Sequence, residues 1–161
     1  MLTTVEKQVV YQREYYSGVA AKFDEMNIMM GDEHYFALAV LEGLLEFLGC
    51  RSVLDIGAGT GRAVRYLKQR KPELDIKGLE PVAAMRRRAY ELGLAESDII
   101  EGNATMIPFD DGAFDVVIET GVLHHIAKPE RAVGEMLRVA KKAASSRTVT
   151  TWARAREACE N

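Results

Sequence analysis

The chain has 161 residues, 48% of them hydrophobic, enough for one domain with a real core. A net charge of −3 and a pI near 5.7 argue against a broad nucleic-acid footprint, and Cys50 and Cys159 are too few and too far apart for a disulfide framework or a zinc site. The N-terminus carries charges throughout and no stretch offers about 18 uncharged apolar residues, so neither signal peptide nor membrane span is expected and a cytoplasmic location follows.

Residues up to about Met30 read as helical, with Val9-Val10 and Tyr15-Tyr16 as packing positions, until Gly31-Asp32 breaks the pattern. Asp32 is a helix cap for the next segment, where Tyr35, Leu38, Leu41, Leu45 and Leu48 recur at helical spacing before Gly49 ends it. An alternation follows. Strands are expected at 52–56, 74–79, 98–101 and 114–119, and helices at 62–71, 83–92 and 130–140, the last begun by Pro129. Strands alternating with helices of this length predict an α/β fold, a doubly wound parallel sheet covered on both faces. The stretch from Ala143 is rich in Ala, Ser, Thr and Arg, and only Thr148–Trp152 has strong β-formers.

The chemistry concentrates in Asp55-Ile56-Gly57-Ala58-Gly59-Thr60-Gly61-Arg62. A strand ending in alternate glycines at a helix start gives a loop whose backbone a ligand can touch, with free N–H groups for a polar or anionic partner. A P-loop would need Lys-Ser/Thr after its last glycine, where Arg62-Ala63 stands. A dinucleotide loop wants a glycine at Arg62, which weakens a nicotinamide-dependent oxidoreductase as an alternative.

This segment resembles the first motif of class I S-adenosylmethionine-dependent methyltransferases. Gly78-Leu79-Glu80-Pro81, Glu101-Gly102-Asn103-Ala104 with Ile107-Pro108-Phe109, and Phe114–Ile126 resemble the family's later segments in order. Pro129, Glu130, Glu135 and Leu137-Arg138-Val139 resemble its next helix, and Ala20–Asp24 the lead-in of its small-molecule members; together the likeness spans about residues 15–142. It implies a Rossmann-like fold with an N-terminal helical cap (1–50), a cofactor-binding core (51–142) and a divergent tail (143–161). It also implies S-adenosylmethionine as cofactor and a small-molecule methyl acceptor.

By the same resemblance, Gly57, Ala58, Gly59 and Gly61 cradle the cofactor, Glu80 meets its ribose, Asn103 the amino group of its adenine and Glu119 its methionine end, with Pro81 and Ala104 also at the cofactor. The family usually has Asp where Asn103 stands, though an amide oxygen can still accept. Asp55 either orders the loop or touches the cofactor. Glu80 could be a solvated strand-end acid, but its position favours the ribose. His124 and His125 either serve as base or orienter, or pack within their loop; His124 is the candidate catalytic group. His34 is expected on a helix surface, and Arg86-Arg87-Arg88 on a solvated helix face. Tyr15, Tyr16 and Phe23 are candidates for a lid over the acceptor.

The family's sheet has seven strands in the order 3-2-1-4-5-7-6, and the tail does not read as its last strands. The chain is therefore expected to be truncated at its C-terminus, with the apolar strand 114–119 open to self-association at its edge unless the tail covers it. A cofactor-binding remnant or regulatory module without transferase activity is the alternative function.

Overall fold

The structure is a computed structural model and describes residues 3–27, 32–146 and 150–153. Met30, Gly31, Thr148, Val149 and Cys159, singled out from sequence, lie outside them; Cys50 is half-buried. Helix α1 (Thr4–Val19) starts at a capping box between Thr3 and Glu6 and passes through a 3-10 turn into α2 (Phe23–Asn27). Helix α3 (Glu33–Phe47) is capped by the Asp32 carboxylate, which accepts from the N–H groups of His34 and Tyr35 at 3.0 Å. Then come β1 (Ser52–Ile56), α4 (Arg62–Arg70), β2 (Asp75–Leu79), α5 (Ala83–Glu91), β3 (Ile99–Ile100), β4 (Phe114–Glu119), α6 (Pro129–Val139), β5 (Ala140–Ser146) and β6 (Thr150–Ala153).

The sheet order is β3-β2-β1-β4-β5-β6, with the first five strands parallel and β6 antiparallel to β5. Ile56 is in register with Leu79 on one side and Glu119 on the other. The C-terminal ends of β1, β2 and β4 are therefore level, and their loops open at one edge, where α/β sheets bind ligands. Side chains alternate across the sheet. Val53, Val116 and Ile118 face Leu38, Leu41 and Leu45 of α3 and Val64 and Leu67 of α4, whereas Leu54, Ile56 and Val117 face Ala132, Met136 and Val139 of α6. A smaller cluster joins the cap to α5 through Ala20, Val82 and Met85, with Tyr16 and Phe23 against it.

Three features depart from the sequence reading. Helix α3, grouped with the cap, belongs to the sheet's own core through its leucines. β4 is not an edge strand: Ala140–Ser146 pairs with it from Phe114 to Glu119, so the open edge invoked for self-association is occupied. A ladder is built from main-chain groups, and the unpaired N–H and C=O groups of a buried strand demand a partner even when its side chains are poor β-formers. Finally, strands β5 and β6 continue the sheet past residue 142, where the sequence shows no strand pattern for β5.

Gly61 shows how tightly α4 seats on the sheet. Its φ is +81°, and a Cβ there would lie 2.3 Å from Leu94 Cδ1 and 2.7 Å from Ile99 Cδ1. Gly61→Ala is expected to cost about 2–3 kcal/mol, from left-handed strain and overpacking together. Urea unfolding checks this; a midpoint within error of the parent would contradict it.

Candidate functional site

The loop after β1 lies across the end of β2. The N–H groups of Gly57 and Ala58 both donate to the Leu79 carbonyl, at 2.8 and 3.2 Å. Gly57 has φ +69°, and a Cβ on it would sit 2.6 Å from the Val122 side chain, so the loops after β1 and β4 touch at a point where only glycine fits.

Glu80, the residue after β2, is 6% exposed. Its Oε2 accepts from the Gly59 N–H at 2.9 Å and its Oε1 from the Val82 N–H at 2.8 Å. One carboxylate thus ties the glycine loop to the start of α5, and each oxygen keeps a lone pair. Burial pushes its pKa up, against the pull of those two amides and of Arg86.

Asp55 and Glu119 lie beneath the loop. Glu119 is 2% exposed, and its Oε2 accepts from the N–H groups of Gly121, Val122 and Leu123 at 2.9, 2.7 and 3.3 Å, which shapes the loop after β4. Asp55 is 1% exposed and its Oδ1 has no hydrogen-bond partner among the described residues. Burial, then the nearby charges of Glu119 and Glu80, raise its pKa to about 8, so it is held as the neutral acid at pH 7.

Asn103 turns its Oδ1 back on its own loop, accepting from the Thr105 N–H at 3.0 Å and the Thr105 hydroxyl at 3.1 Å. A backbone N–H can only donate, so this fixes the amide orientation: Asn103 offers its NH₂ outward, where its oxygen was expected to face the ligand.

These loops and the cap enclose a cavity of about 590 Å³. Val9, Gln12, Arg13 and Tyr16, one face of α1, form its cap wall. The cap is anchored to the glycine loop: the Thr60 hydroxyl donates to Asp24 Oδ1 at 2.6 Å, and Arg65 lies 3.8 Å from Asp24 while bonding the Thr60 carbonyl; beside them Arg62 pairs with Asp32, at the start of α3, at 3.1 Å. Asp24→Ala is expected to loosen the cap by about 1–3 kcal/mol, because Thr60 is buried and loses its acceptor. Hydrogen exchange in α1 reads this; unchanged protection there would refute it.

Of the residues expected at the site, Gly57, Ala58, Gly59, Glu80, Pro81, Asn103 and His124 line the cavity. Asp55, Gly61, Ala104 and Glu119 stand behind its wall: Gly61 packs on Leu94 and Ile99, Ala104 joins the core around Leu79, and the two acids lie under the loops. His34, expected on an outer surface, is half-buried and lines the cavity. Arg86 bonds the Glu80 carbonyl and Glu101, and Arg88 pairs with Glu91, while Arg87 is exposed. The sequence reading missed Gln12 and Arg13, although they stand four and three residues before Tyr16 on the same helical face. It also missed Thr60 and Asp24, a pairing across 36 residues that no local pattern reveals.

The sequence profile of the family described as "Methyltransferase domain" matches residues 54–145. Demethylmenaquinone methyltransferases of Thermus thermophilus and Thermotoga maritima are each 32% identical to the chain, over 129 and 126 residues, 77% of the chain in both cases. The chain spans 58% and 54% of the lengths of these relatives. A solved SAM-dependent methyltransferase from Thermotoga maritima superposes with a TM-score of 0.63 at 25% identity, covering 81% of this chain and 57% of that one.

Proposed function

Because this chain belongs to the class I S-adenosylmethionine-dependent methyltransferases, we propose that its cavity binds S-adenosylmethionine through Gly57, Ala58, Gly59, Glu80, Pro81 and Asn103 and directs the methyl group to a small-molecule acceptor. The observation that carries this reading is Glu80. Its two carboxylate oxygens are each fixed by one backbone N–H, at 2.9 and 2.8 Å, beside a cavity of about 590 Å³, the size range of small-molecule sites. A carboxylate so held is oriented in advance to accept the two hydroxyls of a ribose.

The other residues fit the same ligand. The loop backbone lies bare at Gly57 and Gly59. The outward NH₂ of Asn103 suits a ring nitrogen of the adenine. Asp55, Gly61, Ala104 and Glu119 would act from behind, shaping the loops that touch the cofactor. The cofactor supplies a methyl group already activated on a sulfonium. The chain's task is then alignment of the acceptor and exclusion of water, for which the cap anchored at Thr60 is suited. The demethylmenaquinone methyltransferases among its relatives favour a small organic acceptor.

Calorimetry with S-adenosylmethionine and with NADH tests the cofactor. Saturable heat with the first alone is expected; the reverse pattern would overturn the reading. Transfer of labelled methyl from S-adenosylmethionine into a small-molecule extract then tests the reaction.

A further inference from the structure

We propose that Tyr16 and His125 form the subsite for a phenolic hydroxyl on the acceptor, with Tyr16 touching that hydroxyl and His125 holding the proton it gives up. This rests on the methyltransferase reading above and adds the acceptor's class to it.

The pair spans the molecule. Tyr16 comes from α1 and His125 from the turn after β4, yet Tyr16 Oη lies 2.8 Å from His125 Nε2, and both side chains line the cavity. Among the described residues, the hydrogen bonds that hold Glu80 and the glycine loop come from other groups. The surroundings form an aromatic slot: the rings of Phe23 and His125 stand edge-on to Tyr16, at centroid distances of 6.1 and 5.6 Å, and His124 lies 3.8 Å from His125. A flat ring with a polar edge matches such walls.

Protonation fits the assignment. The titratable groups facing the pair are His124 beside His125, Tyr15 on the same helix as Tyr16, and Glu80 at the end of β2. Burial, Tyr15 and Glu80 raise the Tyr16 pKa, so its hydroxyl keeps its proton; burial and His124 lower that of His125, so its imidazole is neutral near pH 7. In the tautomer with the proton on Nδ1, Tyr16 donates to Nε2 and its own oxygen can accept.

In the transfer, the acceptor O–H bond breaks with its electron pair left on the acceptor oxygen. The proton goes to Tyr16 Oη as the tyrosine's own proton passes to His125 Nε2. The acceptor oxygen bonds to the methyl carbon of the sulfonium donor, the C–S pair returns to sulfur, and the imidazolium later releases its proton to solvent. An imidazole less basic than an ordinary histidine can draw a proton from a phenol, whose pKa is about 10, but not from an aliphatic alcohol, which is far less acidic. Tyr16 is thus the group in contact with substrate, and His125 a positioning residue that acts through it.

The test uses the full chain with S-adenosylhomocysteine, so that no turnover occurs, and 4-nitrophenol, whose ionisation is read by its visible absorbance. Bound nitrophenol should ionise with a constant at least about tenfold larger than in free solution, an advantage that disappears at acidic pH once His125 is protonated. Tyr16→Phe should abolish the shift and weaken nitrophenol binding about tenfold. His125→Gln, which keeps an acceptor for the Tyr16 hydroxyl, should bind nitrophenol within about threefold of the parent yet leave its ionisation as in free solution. A parent protein that leaves the bound phenol unshifted, or a shift that survives both substitutions, overturns the assignment. Calorimetry with S-adenosylhomocysteine separates the two readings: binding of it without any shift in the phenol sinks this proposal alone, and no binding sinks the methyltransferase reading and this one with it.

Discussion

Glu80→Ala should weaken binding of S-adenosylhomocysteine by about 10²–10⁴-fold. Two hydrogen bonds from ribose hydroxyls to a carboxylate are worth about 1.5–3 kcal/mol each, hence ~3–6 kcal/mol together. The variant also leaves the N–H groups of Gly59 and Val82 without their acceptor, so the loop should lose order and the fold some stability. Glu80→Gln should not rescue it. An amide presents an oxygen on one side only, so its NH₂ would face either the Gly59 or the Val82 N–H, donor against donor. Calorimetry on both variants, with urea unfolding alongside, reads the two effects separately. Affinity equal to the parent's in Glu80→Ala would remove Glu80 from the ribose site.

The second large effect concerns pH. In the unfolded chain Asp55 ionises near the ordinary aspartate value of about 3.9, whereas in the fold burial and the Glu119 and Glu80 charges move it to about 8. Between those values the folded chain holds a proton that the unfolded chain has released, so raising the pH favours unfolding. The stability Asp55 contributes is therefore fully present below about pH 4 and is lost progressively until about pH 8, roughly 5 kcal/mol in all. Asp55→Asn cannot ionise and should flatten this part of the curve. It should be the weaker protein near pH 4–5, where its extra N–H needs a partner, and gain on the parent as the pH rises to 8. Parallel stability curves for parent and variant between pH 5 and pH 8 would show that Asp55 is not the group responsible.

The sheet from β1 to β4 was legible because short strand-like segments alternate with helical patterns, and Phe114–Glu119 matches the expected segment residue for residue. The glycine loop was legible because backbone demands there are met by one residue type: Gly57 cannot carry a Cβ against Val122. β5 was not, since Ala140–Ser146 is paired through its main chain and carries no β-like alternation. Asn103 was half legible. Its place in the loop followed from the resemblance, but the direction of its amide depends on Thr105, two residues on. The roles of Asp55 and Glu119 could not be separated in sequence, because both are acids at strand ends. Only the structure distinguishes the one that collects three loop amides from the one whose Oδ1 has none among the described residues.

Thr60 stands between Gly59, which donates to Glu80, and Gly61, which seats α4, while its hydroxyl holds Asp24 of the cap. Cradle and lid are therefore coupled through one peptide unit, and their equilibria are linked. A ligand that favours this arrangement of the cradle favours the docked lid by the same free energy with which the docked lid retains the ligand. Residence time then belongs to the pair rather than to either part: a filled cradle slows the lid's release, and a released lid hastens the ligand's escape.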